Sequence, residues 1–283
     1  KIAMLAVALG AGLNIILDPV FIFAWNMGVT GAAVATVLSQ FASCCFVLSF
    51  LFGKRPAIRI TFGGYSVRIM RRVLSIGFTP FAIIAVDNIM IIAMNAILQK
   101  YGGAAQGDML VTCATIAQSF MLVVTMPLSG ISGGTQTILS FNYGARQRKI
   151  FLFCLVYTGL MTAAAWLGGK WFVQLFTNDA AIAEKALWAI RVYTLSLLPL
   201  GIQYEIVDGF TAIGKVQYSL PLSFWRKLVY FAALFLLPAI WGAESAFFAE
   251  PISDVAGPLV SIMVYLSVMK KVLDKRKERQ PDA

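Results

Sequence analysis

The chain has 283 residues, of which 59% are apolar and only 13% charged. That leaves too little polar surface to clothe a water-soluble globule of this size, so lipid must do the solvating. The net charge of +10 would suit a nucleic-acid partner, but the bases cluster at the ends of apolar runs and no separate soluble domain carries them.

Eight apolar runs are legible, at 2–24, 28–52, 73–99, 109–141, 150–177, 186–213, 221–241 and 243–270. Each is near or beyond the ~20 residues a spanning helix needs. None keeps the two-residue alternation of a membrane β-strand. The chain is therefore read as an all-α membrane protein with eight transmembrane helices.

In the first run Asn14 and Asp18 stand four apart, hence on one helical face. Pro19 follows and withdraws a backbone donor, which frees a carbonyl nearby. A carboxylate beside an amide and a carbonyl suits a hard cation such as Na⁺, or the carboxylate can carry a proton instead. Thr36 in the second run can add a hydroxyl. The plainer alternative is that Asp18, near its helix end, only hydrogen-bonds the turn at Trp25, Asn26 and Met27.

The third run places Asp87, Asn88 and Asn95 deep in an apolar helix, and the fourth carries Gln118, Ser119 and Thr125. The sixth carries Gln203, Tyr204, Glu205 and Asp208, with Glu205 and Asp208 three apart on adjoining parts of one face. A carboxylate at membrane depth costs at least ~2.5 kcal/mol, so such residues mark polar interiors. Asp87, Asn88, Gln118, Tyr204, Glu205 and Asp208 are the candidate lining of a substrate cavity. Alternatively Glu205 and Asp208 pair with Lys215 or Arg226. Glu250 and Asp254 flank Pro251 early in the eighth run and read as an interfacial pair. Cys44, Cys45, Cys113 and Cys154 all fall within runs without metal-ligand spacing, and read as packing residues.

The bases alternate from loop to loop. Lys54, Arg55, Arg59, Arg68, Arg71 and Arg72 mark one side, as do Arg146, Arg148 and Lys149, then Lys215, Arg226 and Lys227, and finally the tail from Lys270 to Arg279. By the positive-inside rule these ends are cytoplasmic, which puts both termini of the chain inside. The chain opens on Lys1 rather than Met and enters an apolar run at once, as if cut from a longer protein. A pattern of small residues, Gly28, Ala32, Ala35 and Ser39, recurs 214 positions later as Gly242, Ala246, Ala249 and Ser253. Repeated halves are a common transporter design. The expectation is a twelve-span protein arranged six plus six. Residues 1–52 would be the last two helices of an N-terminal lobe, 53–72 a cytoplasmic linker, 73–270 a complete six-helix C-terminal lobe, and 271–283 a basic cytoplasmic tail.

The segment Asn14-x3-Asp18-Pro19-x-Phe21-Ile22-Phe23, followed by Met27-Gly28-Val29-x-Gly31-Ala32-Ala33-x-Ala35-Thr36, resembles the fifth and sixth helices of the multidrug and toxic compound extrusion (MATE) transporters. Pro127-x2-Gly130 leading to Asn142-Tyr143-Gly144-Ala145 is similar to the family's eighth helix and following loop. Ala212-Ile213-Gly214-Lys215 through Leu222-Ser223 resembles its tenth and eleventh helices, in the manner of the MepA-like branch. Two departures stand out: Gln136-Thr137 where that branch often has Gln-Pro, and Arg226-Lys227 where it has Arg-Gln.

The resemblance implies an antiporter of two six-helix lobes that alternates between inward-open and outward-open states, driven by H⁺ or Na⁺. It also implies a cation site at Asn14, Asp18 and Thr36, to which the family adds an Asp on a first helix that has no counterpart here. The expected function is ion-coupled export of organic cations across the cytoplasmic (inner) membrane, with no cofactor beyond the coupling ion and a monomeric full-length form. The rival readings are a lipid or lipid-linked saccharide flippase and an integral membrane enzyme. The chain's lack of histidine and of a paired-aspartate motif argues against the enzyme.

Overall fold

A computed structural model of the chain describes residues 2–53, 63, 66–141, 147–212 and 215–279. The Asn-Tyr-Gly-Ala stretch at 142–145, Ile213-Gly214, and the bases Lys54, Arg55, Arg59 and Arg146 lie outside the described residues. Among those described, every regular element is helical. Among the described residues, seven helices are long and apolar enough to cross a membrane, or eight if one bent pair is a single span. Large apolar side chains face outward, Val29 at 89% and Leu167 at 83% exposure, as lipid solvation requires. The chain divides into a unit of residues Lys1–Arg71 and a unit of residues Arg72–Ala283.

In the first unit, α1 (Ile2–Pro19) and α2 (Gly28–Leu51) form a hairpin. Pro19 has no N–H and crowds the carbonyl four residues back, so the regular helix ends there and a wider turn, Val20–Ala24, follows. Small residues let the two helices approach. Ser43 on α2 donates to the Ala6 carbonyl on α1 at 2.7 Å, and a Cβ added at Gly10 would lie 2.5 Å from the Ser43 oxygen.

From Arg72 on, α3 (Val67–Phe141) belongs to the second unit, and it is helical on both sides of Gly103, whose φ of 62° and ψ of −170° interrupt it. Gln99 reaches Asp108 at 3.4 Å, although nine residues of straight helix would hold them ~13 Å apart. The chain therefore reverses at Gly103, and the arms Phe81–Ala104 and Gln106–Gly134 fold together through Met94, Leu98, Leu110, Cys113 and Ala117.

Next come α4 (Gln147–Gln174), α5 (Ala180–Thr194) and α6 (Leu197–Ala212). The apolar run at 186–213 is thus two helices, inclined at 46°. Pro199 gives the reason, because a proline in the third position of α6 is tolerated at a helix start but would break the ladder of a continuous helix. Asp179 caps α5, accepting from the backbone N–H of Ala181 at 2.8 Å and of Ile182 at 3.3 Å.

The unit closes with α7 (Val216–Trp241), a short 3₁₀ turn at Ala243–Phe248, and α8 (Ala249–Arg279). Here the small-residue repeat takes structural form. Gly28 and Gly242 both adopt positive φ, 55° and 83°, where only glycine is unstrained. Ala35 and Ala249 are each fully buried, and Ser39 and Ser253 nearly so. Of the cysteines, Cys113 and Cys154 are buried while Cys44 and Cys45 are exposed on α2.

Candidate functional site

Two polar clusters lie within candidate spans, one in each unit. In the first unit the structure brings Asn14, Asp18 and Thr36 together. The Asn14 amide donates to Asp18 Oδ1 at 3.2 Å and to Thr36 Oγ1 at 3.5 Å, while the Thr36 hydroxyl donates to the Ala32 carbonyl at 2.9 Å. The turn at residues 25–27 closes on itself, with Trp25 N–H donating to Val20 O and Met27 N–H to Phe21 O, each at 3.0 Å. Asp18 thus faces Asn14 on its own helix. Rotating the Asn14 amide by half a turn would bring its carbonyl oxygen to face Asp18 and Thr36, giving three oxygen ligands in one place.

The second cluster surrounds a cavity of about 190 Å³ lined by Asp87, Tyr204, Asp208, Arg226 and Lys227 among others. Lys227 lies between an acid and a carbonyl, its Nζ 2.6 Å from Asp87 Oδ1 and 2.5 Å from Ile83 O. Beside it Arg226 donates to Asp254 Oδ1 at 2.6 Å and stands 3.7 Å from Glu250 Oε1. Buried charges persist when paired and hydrogen-bonded in this way.

This arrangement corrects the sequence reading in two places. Arg226 and Lys227 were expected to mark a cytoplasmic helix end, yet they sit well inside the span Gln217–Trp241, with Lys227 4% exposed. Helix α7 begins at Val216, five residues before the apolar run suggested, which draws both bases inward. Glu250 and Asp254 were expected to be an interfacial pair. Instead Asp254 is fully buried, and both acids face Arg226.

Of the six residues proposed to line a cavity, Asp87, Tyr204 and Asp208 line this one, whereas Asn88, Gln118 and Glu205 do not. Asn88 is exposed and donates to the Ile84 carbonyl of its own helix at 2.9 Å. Gln118 is half-buried on the second arm of α3. Glu205 is fully buried, and neither of its carboxylate oxygens has a hydrogen-bond partner among the described residues. The sequence did hold a signal for the missed charges: Arg226 and Asp254 flank the turn at Gly242 at comparable distances along two antiparallel helices, a spacing that lets long side chains meet.

A chain whose described regular elements are all helices, with seven or eight candidate spans among them and ion pairs buried within those spans, is a polytopic membrane protein with a polar interior. The MatE family model matches residues 84–236, more than half of the chain, and the chain belongs to that family. It is 23% identical over 274 residues to the multidrug export protein MepA of Staphylococcus aureus (strain NCTC 8325 / PS 47), covering 93% of this chain and 59% of that protein. It is 22% identical to MepA of Staphylococcus haemolyticus (strain JCSC1435), covering 96% and 61%. Among solved structures, an outward-facing multidrug resistance MATE family transporter of the MOP superfamily superposes with a TM-score of 0.80 at 25% identity, covering 95% of this chain and 63% of that one. A MATE in complex with MaL6 also gives 0.80, at 24% identity and the same coverage. The chain thus spans about three-fifths of the length of the relatives it matches, with a MepA-like sequence.

Proposed function

We propose that this chain is part of an ion-coupled exporter of small organic compounds, cationic ones above all, that works by alternating access in the cytoplasmic membrane. The observation that carries this is the cluster of Asn14, Asp18 and Thr36, which places a carboxylate, an amide and a hydroxyl within hydrogen-bond reach inside a candidate span. A cation, either Na⁺ or H⁺, taken up there offsets the cost of the acid at depth. Coupling then requires only that the ion bind the two conformations with different affinity. The acids Asp87 and Asp208 on the cavity wall supply the attraction for an organic cation, and the aromatic ring of Tyr204 supplies a face for it.

Both termini of this chain lie in the cytoplasm in this proposal, and the working protein is a monomer. The similarity to multidrug export proteins supports an exporter over a lipid flippase or a membrane enzyme. The test is Asp18→Asn in the intact protein reconstituted in vesicles. Gradient-driven efflux of a fluorescent organic cation should fall at least about tenfold while the protein still inserts and retains its helical content. Unchanged ion-driven efflux would remove Asp18 from the coupling.

A further inference from the structure

We propose that Lys227 is a tethered counter-cation for the substrate cavity: its ammonium group occupies Asp87 when no ligand is present, and an organic cation must displace it to bind. The proposal rests on the reading of the cavity as a site for cationic substrates and deepens it.

Three observations carry it. First, the Lys227 side chain is 5% exposed and that of Asp87 47% exposed, so the amine reaches the acid from within the protein while the acid opens toward the cavity that both line. Second, among the described residues the amine's hydrogen-bond and ion-pair partners are two oxygens, Asp87 Oδ1 and Ile83 O. Removing one leaves it a single carbonyl, so ammonium and ligand compete for a scarce acceptor. Third, the neighbouring base cannot take over the acid, because Arg226 is held by Asp254 at 2.6 Å with Glu250 behind it. Among the described residues, Lys227 is therefore the base paired with Asp87.

The consequence is a threshold for cations. A single positive charge arriving at Asp87 meets Lys227 as a like charge until the amine withdraws, and a lysine has the flexible four-carbon stem to do so. Such a device also suits a carrier that must return without cargo. An unpaired carboxylate is costly inside a membrane, and the tethered amine keeps Asp87 neutralised on the empty half of the cycle.

The experiment is calorimetric binding of two probes of nearly the same shape and opposite charge, tetraphenylphosphonium and tetraphenylborate, to the intact protein in detergent. Lys227→Met should bind the phosphonium about tenfold more tightly and the borate more weakly, a shift typical of coupled sites. Lys227→Arg should behave as the native protein. In the Asp87→Asn background the gain from Lys227→Met should vanish, since the contested acceptor has gone. If Lys227→Met does not fold, Lys227→Gln replaces it with the same expectation. Should native protein bind the phosphonium and the amine's removal leave that affinity unchanged, or move both probes in the same direction, the tethered-cation proposal is overturned and the cationic-substrate reading stands. Should neither native protein nor variants bind the phosphonium, the cationic-substrate reading itself falls, and this proposal with it.

Discussion

The hairpins α1–α2 and α7–α8 are two versions of one design. Each second limb follows a glycine of positive φ, Gly28 or Gly242, and buries an alanine seven residues on and a serine eleven residues on, Ala35 and Ser39 or Ala249 and Ser253. What each holds between its limbs differs. In α1–α2 the polar group is one acid with an amide and a hydroxyl, Asp18, Asn14 and Thr36. In α7–α8 the repeat carries Glu250 to the position of Thr36, and with Asp254 it faces the guanidinium of Arg226. Among the described residues, Asp18 has no ion-pair partner in the first hairpin, whereas Asp254 and Glu250 face Arg226 in the second. Close packing by small residues builds the frame in both, and the charges placed within it differ: an acid beside an amide and a hydroxyl in one, two acids around a guanidinium in the other.

That comparison can be broken most forcefully at Asp254. Asp254→Ala leaves Arg226 without its short contact, and removing one partner of a buried pair costs about 3 to 5 kcal/mol. The variant should melt far below the native protein, whereas Asp18→Asn should melt within about 1 kcal/mol of it. Comparable losses from both would mean that Asp18 is as structural as Asp254. Next in size, Ala35→Leu and Ala249→Leu should each destabilise by about 1 to 3 kcal/mol through overpacking, while Ala33→Leu, on the exposed face of α2, should be close to neutral. Different costs at Ala35 and Ala249 would show that the repeat is one of sequence and not of packing.

A subtler change sharpens the proposed ion site. Thr36→Val removes one candidate ligand oxygen and should weaken coupling-ion affinity by roughly tenfold, a loss of about 1.4 kcal/mol, with Thr36→Ser restoring it. Equal affinity in the valine variant, measured by ion-dependent tryptophan fluorescence, would confine the site to Asn14 and Asp18. The smallest effect is expected at the pair Lys185 and Glu244, whose acid is half exposed. Lys185→Ala should change stability by less than about 1 kcal/mol.

Much of the architecture was readable because its cause is one-dimensional. A run of about twenty apolar residues spans a bilayer whatever its neighbours do, so α1, α2, α4, α7 and α8 lie close to their expected places. The bent pair α5–α6 was read as one helix because hydropathy does not register the break, although Pro199 marked it. Asn14, Asp18 and Thr36 could be grouped in advance since two share a helical face and the third lies on the next helix, with only a tight turn between. The ion pairs of the second unit were hidden by distance along the chain. Lys227 and Asp87 are 140 positions apart, and no spacing rule connects them.

Composition and apolar run length alone determined that this is a membrane protein of long helices, and a local motif sufficed to group an acid, an amide and a hydroxyl. Only the tertiary structure decided which charges meet. It turned Arg226 and Lys227 from boundary markers into interior partners of Asp254 and Asp87, and it separated Glu205 from the cavity that Asp208 lines. The physical reason is that burial in lipid is a property of each segment, whereas neutralising a buried charge depends on a partner that another helix must bring.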